Sequence, residues 1–454
     1  MKNRNKVISI QDISEKQDKD YIRYINPSDI LLPPGFSIEA FASGLDTPIS
    51  LVFTENGDML IGDAGVRTGK GKVLRFNGGE FKVIADGFNP PLTGINYLNG
   101  DIYVSHRSKI TMIKPDGSKV DLLSGLPSFG DHHNNKIEFG PDGKMYFGQG
   151  TATNSAVVGS DNGWAKAHPY FHDFPGANIL LNGYNFQAKN IFSEAGENSY
   201  TGAFSPFGEP NYSNYEIVYG TIKASGSILR ANPDGSNLEL IAWGLRNPFR
   251  LKFNHNNQLF STNHGADERG SRPIANSPDE FQLIVPGSWY GWPDFTGGKP
   301  VTLPEFKPMG GQQPQFLLAS PPSNPPEPFA VFTPHSAIMG FDFNYNPSFG
   351  PYGDVFIAEY GSEAPETTGG APLPGVGHRI SRIDMSSGEV STFAINRSGI
   401  SASESGEGGF ERPIDVAFGS DGAMYILDFA VTPAGEPDEF YPNSGMIWRI
   451  TKEL

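Results

Sequence analysis

KIEFGPDGKMYFGQG, residues 136–150, is the stretch on which the fold turns. An apolar strand of alternating character runs into Asp142-Gly143, and a second strand leaves it. Asp-Gly and Asn-Gly pairs tolerate the positive φ that a tight hairpin needs to match the twist of its strands. The same figure recurs as ISLVFTENGDMLIGD (49–63), GINYLNGDIYVSH (94–106), FRLKFNHNNQLFSTNHG (249–265), GFDFNYNPSFGPYGDVFIAEYG (340–361) and IDVAFGSDGAMYILDFA (414–430), six copies in all. Internal repetition of this kind outranks any strand-by-strand reading.

A second hairpin follows most copies: GKVLRFNGGEFKVIA (71–85), KITMIKPDGSKVDLLS (109–124), GSILRANPDGSNLELIA (226–242) and HRISRIDMSSGEVSTFA (378–394). Four antiparallel strands per repeat, repeated six times, give the expected fold: an all-β, six-bladed β-propeller whose blades pack radially and leave no long sheet edge exposed. At the chain ends, GMIWRITKEL (445–454) supplies only a third strand, while FSIEAFASGL (36–45) reads as an orphan fourth. The two termini are therefore expected to close one blade together. The rival architecture, a sandwich or several small β domains, does not account for the repeat number. The expected organisation is an N-terminal extension over 1–32 and a propeller over 33–454, with insertions at about 151–225 and 266–330.

Bulk properties agree. A chain of 454 residues, 37% hydrophobic and 12% aromatic, buries a large core, and 55 Gly with 38 Pro punctuate it at turn density. Apart from Pro-rich patches near 321–328 and 371–374, nothing resembles a linker between domains. The formal charge of −16 argues against a nucleic-acid partner, which needs a basic surface. The absence of Cys removes disulfides, zinc–thiolate sites and Cys nucleophiles, without fixing the compartment. The N-terminal MKNRNKVISIQDISEKQDKD lacks the apolar run of a secretory signal, and no later window is a membrane-span candidate. Localisation stays open.

Strand direction maps the chemistry. In a four-stranded blade the innermost strand starts on the face where the second strand ends, so their loops share one channel mouth. The six starts are Thr47-Pro48, Leu92-Thr93, His132-His133, Arg246-Asn247, His335-Ser336 and Arg412-Pro413. His or Arg at four of them is costly beside a narrow channel unless an anionic partner, from a ligand or from the protein, meets the charge. Both insertions are expected to interrupt their blades after the second strand and to rise over that mouth. The aromatic residues of YNFQAKNIF and SWYGWP are expected to form walls suited to sugars or a planar cofactor, against the alternative of solvent-facing decoration.

These residues resemble the soluble quinoprotein sugar dehydrogenases, which use pyrroloquinoline quinone (PQQ), and especially their sorbosone-dehydrogenase-like branch. The resemblance spans about 33–452 and rests on GDHHNNKIEFGPDGKMYFGQGTATN (130–154), WGLRNPFRLKF (243–253), DEFQLIVPGSWYGWP (279–293) and ERPIDVAFGSDGAMYILD (411–428). It implies His132 as general base, taking a hydroxyl proton as hydride passes to the quinone, with His133 pointing away by strand alternation. It also implies Arg246 and Asn247 beside the quinone carbonyls, with Arg246 stabilising developing negative charge. The alternative for Arg246 is an internal carboxylate partner. The cofactor's carboxylates call for Lys136, Arg379 and Arg412, and a cofactor calcium for the carbonyls of Gly265 and Ala266. Three positions depart from the glucose-type pattern: Lys136 replaces an Arg, Asn263 stands where an acid is common, and Thr151 stands where an Asp orients the His. Asn154 and Asp131 are the candidate replacements as orienter.

The resemblance thus implies oxidation of a sugar or polyol, with an external electron acceptor. A metal-dependent lactonase needs Glu, Asn and Asp converging on one channel cation, and a non-catalytic ligand-binding propeller needs neither.

Overall fold

The computed structural model describes residues 21–363, 373, 375–433 and 439–453. The first twenty residues, and the 371–374 patch apart from Leu373, lie outside them. Six four-stranded antiparallel sheets form a ring. Blade 1 comprises Pro48–Phe53, Met59–Asp63, Gly71–Asn77 and Glu80–Phe88, and blade 2 Leu92–Leu98, Asp101–His106, Lys109–Ile113 and Lys119–Ser124. Blade 3 comprises Asn134–Phe139, Met145–Gln149, Ser227–Ala231 and Glu239–Trp243, and blade 4 Pro248–Phe253, Leu259–Asn263, Asp279–Leu283 and Ala330–Phe332. Blade 5 comprises Ile338–Phe343, Val355–Glu359, Arg379–Ile383 and Val390–Asn396. The innermost strand of each blade touches those of both neighbours, the sixth touching the first, so the ring closes around a channel.

Blade 6 is the closure. Pro413–Phe418, Met424–Asp428 and Gly445–Lys452 are completed by Phe36–Leu45, whose register runs from Phe36 opposite Lys452 to Leu45 opposite Gly445. Trp448 at its centre is fully buried among Met424, Ile426 and Phe410. Truncating such a residue costs about 3–5 kcal/mol. The chain joins the propeller from residue 21, ahead of the boundary expected at 32. Tyr21 stacks on Tyr441, Arg23 pairs with buried Asp428, and Ile30–Leu31 adds a fifth strand to blade 5.

Each innermost strand carries a register shift near its first residues, between Pro48/Ser50, Leu92/Gly94, Asn134/Ile137, Pro248/Arg250, Ile338/Phe341 and Pro413/Asp415. A bulge leaves a residue unpaired and re-aims its neighbours, and here all six stand at the same channel mouth.

The insertions differ from expectation in one respect. Asp279–Leu283 is the third strand of blade 4, so residues 264–278 form a short loop at the mouth and 284–329 separate the third strand from the fourth. This longer segment leaves the far face, and Ser288–Trp292 runs back beside the outer strand of blade 3. It then packs on the first insertion: Leu181 bridges Leu318, and Trp243, Trp289, Trp292, Phe204 and Leu317 share one apolar cluster. The SWYGWP aromatics are therefore buried and none of them lines the main cavity at the mouth, although Tyr290 and Trp292 border a narrow pocket behind Arg246 and Gly265. Their long apolar rings are what let two irregular segments fold as one body.

Candidate active site at the channel mouth

The loop ahead of an innermost strand needs partners for its amides, and the last residue of the second strand supplies them. Asp63 accepts from Thr47 N at 2.9 Å, Asn263 from Arg246 N and Asn247 N at 3.0 and 3.1 Å, and Asp428 from Glu411 N and Arg412 N at 3.0 and 2.6 Å. Asn263 is thus a clasp on the Arg246-Asn247 loop: its amide oxygen does what the carboxylates of blades 1 and 6 do.

These loops border a cavity of about 490 Å³. His132 lines it. Its Nδ1 lies 3.0 Å from the Thr151 carbonyl, which can only accept, so Nδ1 carries the hydrogen and Nε2 the lone pair. Among the described residues nothing hydrogen-bonds to Nε2. The Thr151 hydroxyl, 3.3 Å from Nδ1, donates to the Thr153 carbonyl at 2.7 Å. Burial, then the nearby positive charge of Arg246, holds the imidazole well below its ordinary pKa. Neither Asn154 nor Asp131 orients the ring. Asn154 binds the main chain of Asp267 and Arg269, and Asp131 accepts from Arg269, Asn162 and Trp164. His133 turns away to the Ser128 carbonyl at 3.0 Å.

Arg246 and Asn247 also line the cavity. The guanidinium is engaged by the protein itself: Nη2 meets Asp267 at 2.7 Å, Nη1 the Gly265 carbonyl at 2.6 Å, and Nε the Asn154 carbonyl at 3.2 Å. Asn247 donates to His264 Nδ1 at 3.0 Å and accepts from Asn135 at 3.0 Å. His264 Nε2 reaches the Ile338 carbonyl at 2.8 Å, so both of its nitrogens are spent on structure.

A charge lattice that the sequence did not announce surrounds this pair. Arg269 reaches Asp131 at 2.6 Å, Asp161 at 2.8 Å and Asp267 at 3.2 Å, tying the first insertion to the loop after blade 4's second strand. His335, at the start of blade 5, places Nδ1 3.7 Å from Asp267. Burial would raise the Asp267 pKa, but Arg246, His335 and Arg269 hold it well below the carboxylate range. Asp279 fastens Gly265 N at 2.7 Å and Ile338 N at 3.1 Å. Sequence separations of 138 and 108 residues between Arg269 and Asp131 or Asp161 leave no local signal of this lattice.

The remaining expected cofactor residues fall elsewhere. Arg412 stands behind the wall: its guanidinium lies 4.7 Å over the ring of Tyr360, which faces the cavity, and reaches the Ser362 carbonyl at 3.4 Å. Arg379, on a third strand two strands from the channel, pairs with Glu359 at 3.6 Å and does not line the cavity. Lys136 points into the channel below and lines a different cavity. Gly265 and Ala266 border the mouth, but Arg246 occupies the Gly265 carbonyl expected to face calcium. Among the described residues no group of three or more His, Asp or Glu is arranged to hold a metal ion. No helix there is long and apolar enough to cross a membrane.

The donor set fits the quinone edge of PQQ: an open imidazole nitrogen, a guanidinium and a carboxamide face one cavity. Its carboxylates are met less fully. Five lining acids, Asp131, Asp161, Asp267, Asp279 and Glu363, outnumber two lining arginines, so the lining side chains alone do not balance a tricarboxylate.

Residues 217–359 match the family model described as Glucose / Sorbosone dehydrogenase. Quinoprotein glucose dehydrogenase B of Acinetobacter calcoaceticus is 29% identical over 219 residues, covering 46% of this chain and 36% of that protein. The chain thus matches little more than a third of that relative's length. The PQQ-bound form of aldose sugar dehydrogenase from Streptomyces coelicolor superposes with a TM-score of 0.53 at 18% identity, over 92% of this chain and 99% of that one. The calcium structure of the Trichoderma reesei Carbohydrate-Active Enzymes Family AA12 protein gives 0.56 at 15%, over 94% and 98%. At these identities the superpositions establish a shared fold. The chain is a six-bladed propeller that resembles the soluble PQQ-dependent sugar dehydrogenases, and over residues 217–359 it carries the glucose/sorbosone dehydrogenase pattern.

Proposed function

We propose that the chain oxidises a hydroxyl of a sugar or polyol, with His132 as general base and PQQ as the resident cofactor. The observation that carries this reading is the His132 imidazole, fixed as the Nδ1–H tautomer with Nε2 open to the cavity. A neutral, desolvated imidazole accepts a proton at Nε2 and releases it readily, because Arg246 and Arg269 oppose its positive form. Arg246, braced by Asp267 and two carbonyls, is a fixed positive charge at the cavity wall and stabilises negative charge that develops there. PQQ, when bound, supplies the hydride acceptor. Arg246 and Asn247, which line the cavity, are the residues that would hold it, and the lining carboxylates Asp267 and Asp279 are the hard oxygens that an accompanying calcium ion would have to share with their present partners. Turnover would require an external electron acceptor. The relatives named above, a quinoprotein glucose dehydrogenase and a PQQ-bound aldose dehydrogenase, support the substrate class.

The test is reconstitution: PQQ with calcium is added to the purified chain and sugar-dependent dye reduction is followed across aldoses, sorbosone-like sugars and polyols. Activity that requires both additions supports the reading. If PQQ does not bind with or without calcium, the reading falls. The closed Arg246–Asp267 pairing would then favour a propeller that binds an uncharged polyol without oxidising it.

A further inference from the structure

Three imidazoles line the cavity at the mouth, and the protein uses them unequally. His264 spends both nitrogens on Asn247 and the Ile338 carbonyl. His132 keeps Nε2 open. So does His335: its Nδ1 lies 3.7 Å from Asp267 Oδ1, and among the described residues nothing hydrogen-bonds to its Nε2. The ring is held rather than loose, with its side chain only 4% exposed.

The backbone beneath this ring is strained. His335 and Ala337 have φ of 66° and 49°, the left-handed region in which a Cβ crowds the following carbonyl. Neighbouring contacts hold them there. Ser336 N and Oγ both reach the Thr333 carbonyl, the Ser336 and Ala337 carbonyls accept from Gly361 N and Tyr360 N, and Asp279 fastens Ile338 N. A glycine would take this backbone without strain, yet the position carries an imidazole aimed into the cavity. Strain of this kind gathers where a fold must aim a functional group.

Position around the ring supplies the rest. His132, Arg246 and His335 precede the innermost strands of blades 3, 4 and 5, so the two open nitrogens stand on either side of Arg246. A sugar with one hydroxyl at His132 Nε2 and its reacting carbon toward Arg246 presents further hydroxyls to the blade 5 side. An anionic substituent is disfavoured there, because Asp267 lies beside His335 and Asp279 and Glu363 line the same cavity.

We propose that His335 Nε2 binds a second hydroxyl of a neutral sugar or polyol and so selects the substrates that carry it, an inference that rests on the sugar-oxidising reading above. A hydroxyl both donates and accepts, so it meets Nε2 in either tautomer and the role asks nothing of titration. A substrate lacking that hydroxyl leaves a desolvated nitrogen unmet, which is how a site rejects an analogue.

The test uses the chain reconstituted with PQQ and calcium. For one sugar that the wild type oxidises, kcat and KM are compared with those of its monodeoxy analogues. One analogue is expected to lose about tenfold or more in kcat/KM in the wild type. His335→Ala lowers the parent sugar by a similar factor, and removal of that one hydroxyl then costs nothing further, while penalties at other positions stay. His335→Gln, whose carboxamide can bond a hydroxyl, recovers part of the loss. His335→Gly, free to adopt the left-handed backbone, replaces His335→Ala should that variant not fold. PQQ affinity, read by fluorescence titration, is unchanged in each variant. The inference falls if no wild-type analogue shows the penalty, if His335→Ala keeps the parent's kcat/KM or lowers parent and every analogue equally, or if the loss lies in PQQ affinity. Any of these in an active wild type leaves the dehydrogenase reading standing. A wild type that oxidises no sugar defeats that reading instead, and this inference with it.

Discussion

The two ends of the channel are built from the same six strands and yet do different things. At the upper mouth the working groups sit on loops, just before the innermost strands, and are held by clasps such as Asn263 and Asp428. At the lower end they sit on the strands themselves, at alternating positions such as 136/138 and 250/252, where Lys136 and Arg250 share Asp415 and Lys252 pairs with Asp342. A loop can aim a side chain across a wide mouth, whereas a strand fixes it perpendicular to the sheet at one depth. That is why imidazoles with an open nitrogen occur above and a ladder of ion pairs below.

The sharpest way to break this comparison is His132→Ala. If the upper mouth is the reacting end, turnover falls by about 10²–10⁴-fold while PQQ affinity, measured by fluorescence titration, stays within about threefold. Retained turnover would leave the upper histidines as structural groups and erase the distinction.

The clasps come next. Asp428 holds two loop amides, the Trp448 indole N–H and the buried Arg23 guanidinium at once, so Asp428→Ala strands a cation 5% exposed. Breaking such a pair costs about 3–5 kcal/mol by chemical denaturation. Asn263→Ala breaks no ion pair, though it takes one of several donors from the buried Glu280 carboxylate, and is expected to cost only about 1–3 kcal/mol.

Much of this was legible in the chain. Six hairpins, four of them turning on an Asn-Gly or Asp-Gly pair, dictated six blades, and strand direction alone put His132, Arg246, Asn247 and His335 at one mouth. Lys136 shows where such reading stops. Four residues beyond His132, at about 3.3 Å per residue along a strand, it lies some ~13 Å deeper. A family position copied by spacing cannot see that depth. Arg379 fails differently: two strands out, its nearest acid is Glu359 on the adjacent strand. Asp267, Arg269 and Asp161 read as an ordinary solvated loop, and only the packing of the cap brings them together. The end-of-strand residues Asp63, Asn263 and Asp428 did carry a signal, since each closes the second strand of its repeat.

The ends also differ in how they meet acid. His106 ends the second strand of blade 2 and His133 and His378 stand in loops, all toward the upper mouth, and burial, which outweighs every nearby charge, takes each down to about 4. An unfolded chain binds protons at these sites near pH 6.5, whereas the folded one resists until about 4. The stability they confer is therefore present above about pH 6.5 and lost as pH falls toward 4, with a slope of about 1.4 kcal/mol per pH unit for each histidine. Denaturant midpoints measured across that window give the slope directly. His378→Gln should remove one histidine's share, and an unchanged slope would show that the lower carboxylates govern acid sensitivity instead.

The smallest expected effect separates two atoms of one residue. His132 Nδ1 is held by the Thr151 carbonyl at 3.0 Å, which every residue possesses, while the hydroxyl is turned toward Thr153 at 2.7 Å. Thr151→Ala keeps the carbonyl, so the tautomer and the open Nε2 survive. Turnover is expected to stay within about threefold, and the lost hydroxyl bond to cost about 1 kcal/mol of stability. The pH dependence of kcat/KM is the discriminating readout. If the alkaline plateau and its lower limb do not move, the main chain orients the base. A shift of the limb together with a loss of about tenfold or more would make the hydroxyl the orienting group, and Thr151 would then act through its side chain as the Asp does in glucose-type enzymes.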